Sequence, residues 1–314
     1  WHERYPDLVF IASETKPYST YRKEDYQIIS YADNSWNDMD EFVAGQFIWA
    51  GIDYLGESGA WPNRGWATGL METNGFIKPH AWYIASQYRE DPLVKLSVKD
   101  SLLADSLNHL ESWQTKWEGA PLVDHWSFGH DTREKELVVF TNCSRVEIEL
   151  NSRLLQSLNR NDFPDGVIKT RIPYERGELV ARAFYLGDKG ELQEVTDTLS
   201  SSHAPYALAM NPDHDPSSSS RRIVHITTSV VDSTGELNPH SEHLVNYQLD
   251  GPGRIRAIDN GDLADHTPPG SSSKEMRKGR QLLILQAGSE PGDLVVSASA
   301  EGLKPSRVKI KSKD

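Results

Sequence analysis

Leu8-Val-Phe-Ile-Ala-Ser-Glu14 is a short apolar run that ends in a carboxylate, and its reading decides the fold of the first third of the chain. The run from Leu8 to Ile11 is continuous rather than alternating, the pattern of a parallel strand buried on both faces. A second run, Phe47-Ile-Trp-Ala-Gly-Ile52, carries Trp49 and Asp53 at its end. Between the two, the sequence predicts a helix from Trp36 to Ala44, capped by Asn34 or Ser35 and closed by Gly45. Asp38, Asp40 and Glu41 lie near the positive end of that helix. Pro79 predicts the start of another helix, running through Tyr88. Strand, helix, strand, helix is the repeat of a (β/α)8 TIM barrel, where functional groups sit at the C-terminal ends of strands. The loop from Thr15 to Tyr31 is polar, tyrosine-rich and longer than a connector needs. A second loop, Asp53 to Gly75, is dense in Gly, Trp and Pro.

From about Leu93 the period changes to two. Glu136-Leu-Val-Val-Phe140, Val146-Glu-Ile-Glu-Leu150 and Leu179-Val-Ala-Arg-Ala-Phe184 are separated by turn residues such as Asn151-Ser152 and Arg176-Gly177, an antiparallel sandwich pattern. The lead-in from Ser101 to Gly119 carries leucines, Trp113 and Trp117 among polar residues, with no assignable pattern. Ser200 to Ser220 is rich in Ser, Pro, Asp and His and reads as a linker plus an irregular first strand. Ile223–Val231, Leu244–Leu249, Gln281–Gln286 and Leu294–Ala300 then read as strands of a second sandwich, with a tight turn at Asp232-Ser-Thr-Gly235. The tail from Lys309 is polar and is expected to fray. The resulting division is residues 1–92, 93–202 and 203–314.

The length of 314 residues suits two or three domains. An apolar share of 37% and a charged share of 25% fit an ordinary soluble, folded chain. No window approaches the roughly 18 apolar residues of a transmembrane helix. A start at Trp1 reads as that of a fragment or processed piece, so the lack of a leader fixes no compartment. A periplasmic or extracellular setting is favoured over a cytoplasmic one. The net charge of −13 argues against a nucleic-acid partner, which needs clustered Lys and Arg, and suits a neutral substrate. The single cysteine, Cys143, excludes an internal disulfide and reads as a small buried hydrophobe beside a strand. His240-x-x-His243 has no companions at metal spacing, and Asp259-Asn-Gly-Asp262 reads as a turn rather than a calcium loop. No Gly-rich phosphate loop and no Gly-x-Ser-x-Gly elbow occurs. Neither a cofactor nor a metal is expected, nor a membrane partner, while a homo-oligomer stays open.

A glutamate at a strand end is by itself a weak sign, since many are salt-bridged loop residues. Its company gives it weight. Trp49, Asp53, Tyr54, Glu57, Trp61 and Trp66 follow the next strand, and such a mixture offers aromatic faces to the C–H faces of a sugar and polar groups to its hydroxyls. The plainer reading, with Trp49 as packing and Trp61 and Trp66 closing a loop, is level with it on composition alone.

Ile11-Ala-Ser-Glu-Thr15 and Phe42-Val-Ala-Gly-Gln-Phe-Ile-Trp-Ala-Gly-Ile-Asp-Tyr-Leu-Gly-Glu57 resemble the nucleophile and final-strand motifs of glycoside hydrolase family 2, nearest its bacterial β-galactosidase branch. Gly69-Leu70, Lys78-Pro79 through Tyr88 and His125-Trp126 are similar to the segments after those motifs in that branch. Asp259-Asn-Gly-Asp262 and Gly292 to Leu303 resemble its C-terminal immunoglobulin-like domain. The resemblance implies the last two β/α units of a TIM barrel over residues 1–92, then two immunoglobulin-like β-sandwiches. It implies a portion of a retaining β-glycosidase, foremost a β-galactosidase, with Glu14 as the nucleophile. Trp49 would be the sugar platform and Asp53 a neighbouring polar residue, at the sugar or just behind the groups that touch it. With Trp61 and Trp66, whose place rests on their company, they make up the set expected to bind a β-galactoside.

The family's acid/base glutamate comes after an Asn on an earlier strand, so it is expected upstream of Trp1, in an N-terminal part of the same enzyme that acts as this chain's partner. Glu57, the nearest carboxylate in the sequence, reads as a structural loop residue. Two strands cannot close an eight-stranded barrel, so residues 1–92 alone are expected to expose apolar faces, and the piece alone to be inactive. The family's glucuronidase branch holds the substrate carboxylate with Asn-x-Lys. Here Pro62-Asn-Arg-Gly-Trp66 has no lysine, which leans toward a neutral sugar, while Arg64 keeps a β-glucuronide open, and a β-mannoside also remains. From another class, the alternative is a non-catalytic carbohydrate-binding or adhesion protein built on the two sandwiches.

Overall fold

A computed structural model describes residues 1–15, 41–56, 61–100, 121–129, 133–163, 165–187, 189–214 and 222–311. The chain divides into two units, Trp1–Ala60 with Arg64–Ser200, and Trp61–Asn63 with Ser201–Asp314.

The first unit opens with two parallel strands, β1 (Phe10–Thr15) and β2 (Val43–Ile48), whose register runs from Phe10 opposite Val43 to Thr15 opposite Ile48. The parallel pairing agrees with the continuous apolar runs, but the bounds differ from the sequence reading. Leu8 and Val9 precede β1, and β2 takes Val43–Ile48 rather than Phe47–Ile52. Val43 and Ala44 are therefore strand where the sequence predicts helix. Gly45, expected to end that helix, lies inside β2 at φ +151°, a backbone open to glycine and strained for other residues. Burial differs as well. Ile11 is 58% and Phe47 66% exposed, because among the described residues the pair has no second layer to cover its faces. The expectations for residues 16–31, 36–40, Glu57 and 101–119 fall outside the described residues.

Next comes a small hairpin, β3 (Tyr54–Leu55) against β4 (Gly65–Trp66), and then α1 (Ala81–Tyr88). Pro79 precedes the N-cap His80 instead of occupying the first turn. Gln46 Nε2 of β2 donates to Tyr88 Oη at 2.9 Å.

The rest of this unit is a two-sheet sandwich. Its strands are β5 (Val94–Lys99), β6 (Leu122–Val123), β7 (Lys135–Thr141), β8 (Arg145–Leu150), β9 (Arg153–Asn159), β10 (Ile168–Ile172), β11 (Glu178–Leu186) and β12 (Leu192–Ser200). They form sheets ordered β10-β7-β5-β6 and β12-β11-β8-β9. Leu96, Leu137, Val139, Ile148 and Leu179 close one core with Trp126, whose Nε1 donates to the Glu175 carbonyl at 2.8 Å. β8 keeps the alternation of a half-buried strand. β7 loses it, because Val138 and Phe140 on its other face pack with Tyr83 of α1, Leu122 and Val167. Asn151 and Ser152 take φ +52° and +63°, the two left-handed residues that a tight hairpin between β8 and β9 requires. The Asn151 side chain secures that turn by accepting from the Glu178 amide at 3.0 Å and donating to the Arg176 carbonyl at 3.1 Å. Cys143 is buried beside these strands.

The second unit is again a two-sheet sandwich: β13 (Ala207–Pro212), β14 (Ile223–Val231), β15 (Leu244–Asp250), β16 (Gly253–Asp259), β17 (Ser273–Glu275), β18 (Arg280–Ala287), β19 (Leu294–Ser299) and β20 (Ser306–Ile310). The sheet orders are β13-β14-β18-β16 and β17-β15-β19-β20, closed on Ile226, Tyr247, Leu283, Leu285 and Val296. At Asp232, the turn after β14 is held by one carboxylate. Its Oδ1 accepts from the Thr234 amide (2.8 Å), the Thr234 hydroxyl (2.6 Å) and the Glu236 amide (3.1 Å), and its Oδ2 accepts from the His203 amide (2.7 Å). β16 ends in the Asp259–Asp262 turn, where Gly261 has φ +73° and its amide meets Asp259 Oδ1 at 2.8 Å. No helix among the described residues is long and apolar enough to cross a membrane.

Candidate active site

Because β1 and β2 are parallel, their C-terminal ends lie side by side. Thr15 is paired with Ile48, so Glu14 and Trp49, each adjacent in sequence to one of that pair, stand at the same end. Glu14 is exposed, and Trp49 is 41% exposed. The β3–β4 hairpin beyond sets Tyr54 opposite Trp66. Tyr54 meets the Trp49 ring edge to face, with centroids 5.7 Å apart and planes at 77°, a favoured aromatic geometry that fixes the indole's tilt. The peptides after Trp49 and between Trp61 and Pro62 are cis.

Asp53 has a different task. It is 5% exposed, and its Oδ1 accepts from Lys78 Nζ at 2.6 Å and from the Gly69 amide at 2.8 Å. Lys78 also donates to the Ala67 carbonyl at 2.8 Å, and the Asp53 amide donates to the Met71 carbonyl at 2.8 Å. Only glycine fits at position 69, since a Cβ there would lie 2.3 Å from the Asp53 nitrogen. Burial pushes the Asp53 carboxyl above the usual carboxylate range, and Lys78 with the Gly69 amide offsets this only in part. The sequence places Asp53 near the substrate as a neighbouring polar residue, at the sugar or just behind the groups that touch it. In the structure its carboxylate is engaged inside the loop, where it ties Gly69 and Lys78 to the end of the second apolar run. Lys78 was missed as its partner because nothing local links an aspartate to a lysine so far along the chain.

Trp61 has another aromatic partner. It belongs with the second unit, is 81% exposed, and rests on the imidazole of His266, with centroids 4.2 Å apart and planes at 33°. His266 Nε2 is 2.8 Å from the Pro62 carbonyl oxygen and donates to it. The structure therefore packs Tyr54 on Trp49 and pairs it with Trp66, places Glu14 and Trp49 at the same end of the parallel pair, and sets Trp61 with His266. Among the described residues no group of three His, Cys, Asp or Glu is placed to hold a metal ion. One end of the parallel pair thus carries an exposed carboxylate and an indole propped by Tyr54, groups able to supply a nucleophilic oxygen and an apolar face to a sugar ring.

Residues 208–309 match the family model described as glycoside hydrolase family 2 C-terminal domain 5, and residues 132–190 match a domain of unknown function (DUF4982). A β-galactosidase of Bacteroides ovatus is 22% identical over 321 residues, which cover 100% of this chain and 33% of that protein. A putative β-glucuronidase of Formosa agariphila is 25% identical over 274 residues, 82% of this chain and 23% of that protein. The crystal structure of a glycosyl hydrolase family 2 member from Bacteroides cellulosilyticus superposes with a TM-score of 0.84 at 24% identity, covering 100% of this chain and 40% of that one. At that identity the superposition speaks for the fold. The chain spans about a third or less of the curated relatives it matches.

Proposed function

We propose that this chain, a C-terminal portion of a glycoside hydrolase family 2 protein, carries the nucleophile of a retaining β-galactosidase. Residues 1–92 are read as the last two β/α units of a TIM barrel, and residues 93–202 and 203–314 as two immunoglobulin-like sandwiches. Glu14 attacks the anomeric carbon while an acid on the rest of the polypeptide, about 5 Å from it, protonates the departing oxygen. A covalent galactosyl-enzyme forms on the Glu14 carboxylate. Water then attacks the same carbon, the second carboxyl takes its proton, and Glu14 is freed. Trp49 offers its face to the sugar's C–H groups and Trp66 lines the same end, while Asp53 with Lys78 and Gly69 holds the loop that carries them.

The observation that supports this reading is that Glu14 and Trp49 lie at the same, C-terminal end of a parallel pair, where barrel enzymes keep their chemistry. The open apolar faces of Ile11 and Phe47 also support it, as faces that further barrel strands would cover. In the complete gene product, Glu14→Gln is expected to lower turnover of a nitrophenyl β-galactoside by roughly a thousandfold or more. An unchanged rate would favour the carbohydrate-binding alternative. Residues 1–314 alone are expected to give negligible turnover. A second reading, an acid sugar, draws on Arg64 in the β3–β4 loop and on the glucuronidase name of one relative. A complete protein that prefers the nitrophenyl β-glucuronide would select it.

A further inference from the structure

We infer that Trp61 and His266, both in the second unit, form a sugar-binding platform that takes a neutral pyranose. An indole that is 81% exposed leaves most of a large apolar surface in water, yet this one is held in place. The His266 ring lies against it at 4.2 Å, and His266 donates from Nε2 to the Pro62 carbonyl, so the imidazole clamps both the ring and the backbone next to it.

The loop that presents His266 is itself built stiffly. The Asp262 amide donates to Asn260 Oδ1 at 3.0 Å, and the Ala264 amide to Asp262 Oδ1 at 2.9 Å. The Thr267 amide donates to Asp265 Oδ1 at 2.7 Å, and Asp265 Oδ2 takes Lys274 Nζ at 2.8 Å and Asn260 Nδ2 at 2.8 Å. A flat aromatic face fixed before any ligand arrives costs little ordering on binding, and its area matches one face of a pyranose. The charge of the supporting loop selects among sugars. Asp265 is engaged on both oxygens and paired with Lys274. Asp259 and Asp262, within seven residues of His266, are in no ion pair among the described residues and disfavour a sugar acid. The platform does not depend on Glu14 being a nucleophile.

The test uses the complete protein carrying Glu14→Gln, with lactose as the probe and tryptophan indole N–H signals read by NMR. Lactose is expected to move the indole signal that Trp61→Phe removes, and Trp61→Ala is expected to weaken that binding at least tenfold. His266 acts as a positioning residue. His266→Ala is expected to weaken binding severalfold, and His266→Phe, which restores a ring but not the bond to Pro62, to recover part of it. Cellobiuronic acid is expected to bind less tightly than lactose. A Trp61 signal that no neutral sugar moves, or equal lactose affinity in Trp61→Ala, would overturn the inference. Because the Trp61 signal is read with the tryptophan in place, poor folding of a variant does not blunt the test. Failure of the Glu14 proposal would appear instead as unchanged turnover in Glu14→Gln, with the lactose response untouched.

Discussion

Ile11 and Phe47 on the parallel pair are the same kind of residue on the same kind of element as Leu137 and Ile148 in the first sandwich. The former are 58% and 66% exposed, the latter 0%. Propensity does not separate them; partners do. β7 is paired on both edges and covered on both faces, whereas among the described residues β1 has β2 alone. An apolar run signals a strand, but burial requires a second layer. A fully buried Leu or Ile contributes about 1.5–3 kcal/mol, which the sandwich collects and the pair forgoes. Under the proposed barrel, that forgone burial belongs to the interface with the remaining strands.

The carboxylates repeat the contrast. Burial raises Asp53 beside the pair, where one lysine and one amide do not fully compensate. Burial also pushes Asp232 up in the second unit, but the Thr234 hydroxyl with the amides of His203, Thr234 and Glu236 outweighs it and holds that carboxyl at about 2. Asp265 is likewise pushed up by burial and brought down to about 2 by Lys274 and the Thr267 amide.

The largest effect that sharpens the comparison is expected from Trp126→Ala, which empties the sandwich centre and should cost about 3–5 kcal/mol in denaturant unfolding. A smaller loss would mean that the core is less tightly closed than its burial indicates. Asp232→Asn should cost about 1–3 kcal/mol at neutral pH by weakening charge-assisted turn bonds. The wild-type contribution is complete above an unfolded value of about 3.9 and fades as pH falls toward the folded value, so the variant should flatten the acid limb of the stability curve. Asp53, being raised, runs the other way: its contribution is present at low pH and is lost as pH rises through its folded value. The smallest effect is expected from Phe47→Ser in residues 1–314, within about 0.5 kcal/mol and with weaker binding of a hydrophobic dye. A loss as large as that of Trp126→Ala would show the pair to be packed and would break the comparison.

Strands such as Ile223–Val231 and Arg145–Leu150 were legible because they keep one face in the core and alternate. β9 and β12 escaped because their apolar residues do not alternate, Leu154, Leu155 and Leu158 in the one and Leu192, Val195 and Leu199 in the other. Of the candidate site, the shared strand end of Glu14 and Trp49 could be read, since a parallel pairing brings such ends together. The Lys78 partner of Asp53 and the His266 support of Trp61 could not, because tertiary contacts between distant segments leave no periodic trace.

The most direct test of Glu14 as nucleophile is mass spectrometry of the complete protein after reaction with a 2-deoxy-2-fluoro-galactosyl fluoride, a substrate whose covalent intermediate is slow to hydrolyse. The account predicts one fluorogalactosyl group on the peptide that contains Glu14, and none in Glu14→Gln. A label on any other carboxylate, or an unlabelled protein that still turns over galactosides, would contradict it.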